Sequence, residues 1–200
     1  MMIAHEPLLH PVLIADLRPT QITVGMREVE LKRADWRQRD LDSGDKYLSK
    51  HMIPVVTGPN KLNYITDHHH LALALHKEGI EGAFVTIVAN LSVLDEQAFW
   101  VVLDNRGWMH PFDANGQRRG YSEIPKKMDD LIDDPFRSLA GALRRSGGYA
   151  KDTTPFSEFL WADFLRRRLS ADKVLKDFDG TLTKALELAR SKEANYLPGW

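Results

Sequence analysis

Cysteine is absent from the 200 residues, which excludes disulfides, thiolate nucleophiles, iron–sulfur clusters and cysteine-type zinc sites. The same absence fits a reducing compartment. Net charge is nearly absent as well: 27 Lys and Arg stand against 28 Asp and Glu, which leaves −1 at pH 7 and a pI near 6.7. A chain so balanced has no overall field to draw it to nucleic acid. No apolar run approaches the roughly 20 residues that cross a bilayer. Met1-Met2-Ile3-Ala4-His5-Glu6-Pro7 has no basic segment followed by a long apolar stretch, so no signal peptide is read there. No membrane partner and a cytoplasmic location are the expectations. The remaining composition, 43% hydrophobic and 28% charged, is that of a globular chain able to build its own core.

The first third reads as short strands and turns. Val12-Leu13-Ile14-Ala15 is an apolar run, and Leu17-Arg18-Pro19-Thr20-Gln21 is extended because proline disfavours helix before it. Ile22, Val24, Val29 and Leu31 alternate around Gly25 as strand pieces broken by a bend. Ala34 to Lys50 is polar and helical in part. Pro54 to Thr57 predicts a strand, Gly58-Pro59-Asn60-Lys61 a turn and Leu62 to Thr66 the returning strand. The Leu/Ala run after His70 predicts a helix that stops at Gly79. Gly82 to Ala89 predicts a buried strand, and Asp95 to Leu103 a helix capped by Ser92 or Asp95. Trp108 to Gly116 suggests a hairpin with an Asn-Gly turn.

From Ile124 the spacing becomes helical: Pro135–Arg145, Pro155–Leu169 and Thr181–Ser191, separated by Gly147-Gly148 and Asp179-Gly180. Strands first and helices after argue for α+β rather than a doubly wound sheet. The expected organisation is an α+β domain over 1–123, with a helical extension over 124–200 packed on it.

Asp67-His68-His69-His70 sits where a strand hands over to a helix. The first N–H groups of a helix lack intrahelical acceptors and carry the positive end of its dipole, which suits a phosphate. The three histidines add side-chain donors that become cationic near neutral pH. Asp67 can cap the helix, orient a histidine or hold magnesium beside a phosphate. Surface histidines with an aspartate cap, or a transition-metal site, are the competing readings of the same four residues.

Ile65-Thr66-Asp67-His68-His69-His70-Leu71-Ala72 resembles the Asp-Gly-His-His-Arg type of signature of the ParB/sulfiredoxin superfamily. Leu17-Arg18-Pro19-Thr20-Gln21 with Gly25 resembles the opening Pro-x-Gln element of ParB-like domains, and Tyr196-Leu197-Pro198-Gly199-Trp200 resembles the ending of the ParB-like nuclease subgroup. The resemblance implies a small mixed sheet with helices and a loop that holds nucleotide phosphates. Two positions depart from the signature: His68 stands at its glycine and Leu71 at its arginine. Sulfiredoxin chemistry is excluded, because its cysteine has no counterpart.

On this resemblance His68, His69 and His70 contact phosphate, and Asp67 holds Mg2+ accompanying ATP, ADP or CTP. Gln21, Arg27 and Lys32 are further phosphate or nucleotide contacts, with Glu28, Asp67 and His69 as catalytic candidates in phosphoryl transfer or hydrolysis. A solvated strand face is the alternative for Arg27, Glu28 and Lys32. Arg144-Arg145 and Arg166-Arg167-Arg168 form either a nucleic-acid patch or the outer face of a helix whose stripe Phe156, Phe159, Leu160, Phe164 and Leu165 is core. Trp36, Trp100 and Trp108 read as core or interface residues. Two functions follow: a nucleotide-dependent phosphotransferase or hydrolase, or a binding module for nucleic acid or protein without catalysis.

Overall fold

The computed structural model describes residues 11–39 and 41–200; the reading of Met1–Pro7 falls outside them. A four-stranded mixed sheet forms from β1 (Pro11–Leu13), β3 (Ile53–Thr57), β4 (Asn63–Ile65) and β5 (Gly82–Asn90), in the order β1-β5-β3-β4. β3 runs parallel to β5 and antiparallel to β4, while β1 is antiparallel to β5. The parallel pair requires a crossover, supplied by α3 (His69–Lys77). Ile53, Val55 and Val56 of β3 have no exposed surface. The fold class is α+β, as the order of elements implied.

The alternation read around Gly25 is corrected. β2 (Thr23–Val24) ends at Gly25, and Met26–Arg37 is a helix, α1, so Val29 and Leu31 are helical. Local chemistry favours this. Asp133 accepts the Met26 N–H at 2.8 Å, serving one of the helix's open donors, and most of the residues that follow are good helix formers. β5 is also less buried than expected: Ile87 and Val88 are about half exposed. Asp113 to Gly116 does turn, with Gly116 at φ +73°, but only one antiparallel bridge, Phe112 to Arg118, flanks it.

After α2 (Leu41–Lys50) and α4 (Glu96–Asn105, capped by Asp95), the chain returns across the expected boundary at 123/124. β6 (Ile132–Asp133) pairs in parallel with β2, and α5 (Pro135–Arg145) lies against α1. Gly25 permits that approach, since a Cβ there would stand 2.7 Å from Ser138. α6 (Ser157–Arg166), α7 (Ala171–Lys176) and α8 (Phe178–Ala189) complete a second core around Trp161, Leu139, Leu143 and Leu165. Asp179-Gly180 lies inside the first turn of α8 rather than between helices, because Asp177 caps the helix upstream of it. The C-terminal segment docks here: Trp161 donates its indole N–H to the Pro198 carbonyl at 2.9 Å, and Leu197 is buried. Among the described residues no helix is long and apolar enough to cross a membrane.

Candidate functional site

β4 delivers the chain to the tetrad. Ile65 pairs with Val55, and the next N–H, Thr66, still bonds to the Pro54 carbonyl at 2.9 Å. Asp67 is exposed and accepts the His68 N–H at 2.6 Å. His68, the cap residue of α3, has a left-handed backbone at φ +66°. The helix behind it is held rigidly, since Leu71, Ala72, Leu73, Ala74 and Leu75 are all buried.

His69 and His70 point back at the Pro-Thr-Gln segment. His69 accepts the Thr20 N–H on Nε2 at 3.1 Å, and His70 accepts the Gly25 N–H on Nε2 at 3.0 Å. A backbone N–H can only donate, so each Nε2 is unprotonated and each ring carries its proton on Nδ1. Burial acts in the same direction. It pushes His69 down to about 3 and His70 well below its ordinary value, the latter with Arg137 adding to the effect. His68 is lowered by burial too. The expectation of cationic histidines at neutral pH is therefore corrected: the rings are neutral, and two of them stitch α3 to residues 20–25.

The tetrad opens into a cavity of about 670 Å³. Gln21, Glu28, Lys32 and Asp67 to His70 all line it. Gln21 is buried and donates its side-chain N–H to the Thr23 carbonyl at 2.7 Å. Glu28 and Lys32 reach the cavity together because they stand four apart on α1, on one helix face. Arg27 does not line it; rotated about 100° around the same helix, its guanidinium lies 4.0 Å from the Phe178 ring centre. Both Glu28 oxygens are bound by Arg145. A Cβ on Gly141 would stand 2.6 Å from the Glu28 carboxyl carbon, so only glycine lets this side chain pass.

The opposite wall comes from α5, α6 and the loop between them. Arg137 on α5 is 7% exposed. One of its nitrogens pairs with Glu158, which Arg144 also holds, while Nε and Nη1 are buried without a partner. Burial lowers its pKa to about 10, so it stays charged at neutral pH. Phe159 lies under it, 5.3 Å from the guanidinium carbon, and packs on His110 at 3.9 Å.

A family model described as "Putative ParB-like nuclease" matches residues 10–167. The chain belongs to this ParB-like family. It is also similar to a solved structure, that of protein Atu1540 from Agrobacterium tumefaciens: 54% identity, TM-score 0.90, 97% of this chain and 98% of that one covered. No match to a curated protein was found. The family match takes in both walls of the cavity, from Gln21 to Phe159.

Placed in the family, His68 acquires an explanation. The signature it resembles has glycine there, and the position adopts the left-handed region where glycine is at ease and a side chain is strained. This ParB-like protein keeps the backbone geometry and accepts the strain. Its Asp67 is a single exposed carboxylate, and among the described residues no three His, Asp or Glu converge as a metal cluster. The sequence reading passed over Arg137 and Glu158, and it took Phe156 and Phe159 as part of a core stripe, whereas both line the cavity. The signal for Arg137 was there: an arginine inside Phe136-Arg137-Ser138-Leu139-Ala140-Gly141-Ala142-Leu143, a run of small and apolar residues that is buried throughout.

The arginine runs are likewise occupied within the fold. Arg166 pairs with Asp134 and Asp163, Arg167 with Asp163, and Arg168 with Glu193. The stripe on α6 is split: Phe164 and Leu165 are core, Leu160 is 45% exposed, and Phe156 and Phe159 face the cavity.

Proposed function

We propose that this ParB-like protein binds a phosphate ester of the nucleotide type in the large cavity, with Arg137 and the start of α3 as the anion site. The observation that carries this is buried Arg137 in the cavity wall, whose Nε and Nη1 have no partner in the protein. A buried charged donor without an acceptor is costly, and an anion that accepts from it lowers that cost. The N-terminus of α3 on the facing wall adds further donors and dipole. Lys32, Arg144 and Lys151 contribute cationic charge around the same space.

Binding is favoured over phosphotransfer or hydrolysis because two of the three catalytic candidates, His69 and Glu28, are engaged elsewhere. The lone pair of His69 accepts from Thr20, and Glu28 holds Arg145 with both oxygens. Thermal-shift screening with ATP, ADP, CTP and inorganic phosphate, with and without magnesium, tests the reading on wild type and Arg137→Met. Ligand that binds only the folded state raises the melting temperature by mass action. A shift in wild type that Arg137→Met loses is the expected result. No shift with any phosphate compound overturns it, and turnover of any of them restores the enzyme reading.

A further inference from the structure

Two glutamates line the cavity, and arginine holds each of them differently. Glu28 gives both oxygens to Arg145, which is not a lining residue. That pair ties α1 to α5 and leaves the cavity's own cations untouched. Glu158 gives one oxygen to Arg137 and the other to Arg144. Both of these arginines line the cavity.

The two guanidiniums converge because of their spacing. Arg137 and Arg144 stand seven residues apart on α5, two turns along one helix face. A carboxylate that gives one oxygen to each of them meets them as two oxygens of a phosphate would.

In this arrangement no nitrogen of Arg137 is left for an incoming anion. Nε and Nη1 are sealed from solvent, and Nη2 carries Glu158. Arg144 meets the same carboxylate through Nη1. An anion approaching the pair finds a negative group already seated between them, in a partly enclosed space that strengthens repulsion. Anion and glutamate exclude each other.

Glu158 is placed where it can leave. It stands in the first turn of α6, and residues 151–155 before it are exposed. Rotation about its own side-chain bonds takes the carboxylate off the arginines. Trp161, Phe164 and Leu165, further along α6, keep their places in the core.

We infer that Glu158 is an internal stand-in for the ligand: it closes the Arg137–Arg144 pair in the free protein, and phosphate binds by displacing it. The inference rests on the phosphate reading above and adds the regulation of that site. Calorimetric titration of wild type, Glu158→Gln and Asp152→Asn with ADP and with inorganic phosphate tests it. Glu158→Gln binds both probes about tenfold or more tightly than wild type does, because the competing charge-assisted bond is gone. Asp152→Asn removes the same charge from the same cavity but touches neither arginine, and it keeps the Thr154 N–H bond through its side-chain oxygen. Its affinities stay within about twofold of wild type, since an exposed charge is screened. Equal or weaker binding by Glu158→Gln overturns the inference while wild-type binding keeps the phosphate site standing. Equal tightening by both variants also overturns it, since loss of any negative charge would then suffice. No heat with any of the three proteins overturns both this inference and the phosphate reading. A crystal structure of wild type soaked in phosphate decides the matter without a substitution: Glu158 turned away from Arg137 is the expected result, and phosphate bound with Glu158 still on both arginines overturns displacement.

Discussion

On the α3 wall of the cavity, His69 and His70 each commit a ring nitrogen to a backbone N–H, and burial keeps both neutral. On the α5–α6 wall, Arg137 is charged, buried, and without a partner at two nitrogens. Arg166, on the same helix pair, supplies the contrast within that wall. Its three nitrogens meet the Ala114 carbonyl, Asp163 and Asp134 at 3.2, 2.6 and 2.6 Å. Buried polar groups that find partners hold this fold together; Arg137, with two nitrogens that do not, lines the cavity. His69 and His70, conspicuous in the sequence, belong to the first kind, whereas the Nδ1 of His68 is buried without a partner.

Separating the two arginines experimentally sharpens that contrast most. Arg166→Ala strands the Asp134 carboxyl, which is 1% exposed, and is expected to cost about 3–5 kcal/mol in denaturant unfolding. Arg137→Met leaves Glu158 still paired with Arg144. Its unfolding free energy should fall by less than about 1 kcal/mol or rise, since an apolar replacement removes unsatisfied donors. Phosphate-ester binding should drop by about 2–3 kcal/mol, the worth of charge-assisted hydrogen bonds. Equal destabilisation by both substitutions would erase the distinction.

The buried histidines answer to pH. His69 and His110 both sit at about 3, below their ordinary 6.5, with burial as the leading cause. The unfolded chain therefore takes up protons that the native state refuses. Stability is complete above about pH 6.5 and is lost as pH falls toward 3, by about 1.4 kcal/mol per pH unit for each ring. His69→Gln, whose carbonyl oxygen can accept the Thr20 N–H, should remove one ring's share of the slope between about pH 6 and pH 4. An unchanged slope would mean that the ring is not held neutral.

The smallest effect concerns strain. His68→Gly relieves a left-handed side-chain position and is expected to stabilise by about 0.5–1 kcal/mol in thermal or chemical unfolding. A loss of stability would show that packing of the imidazole outweighs its backbone cost.

Much of the first wall was legible in the sequence. Strand propensity in Pro54–Thr57, the Leu/Ala helix and Gly79 as its stop place the tetrad at a strand-to-helix junction through local rules alone, and the structure agrees. The charge state of the histidines was not legible, because it depends on Thr20 and Gly25, 49 and 45 residues away. The facing wall was hidden for the same reason. Nothing local ties α5 to α3, although Arg137 in an apolar run was a visible anomaly. The helix at Met26 was misread because the carboxylate that meets its first N–H, Asp133, lies 107 residues downstream.

That last contact sets an order in time. β2 can find β6, and α1 its distant carboxylate, only after residues 132 and 133 have left the ribosome. Closing a loop so long is slow compared with forming the local β3–β4 turn or α3. The bonds of His69 and His70 to Thr20 and Gly25 lie within the first 70 residues, whereas Arg137 follows later in the chain. The cavity is a late product of synthesis, finished when α5 swings onto α1 and absent from any nascent chain that stalls before that step.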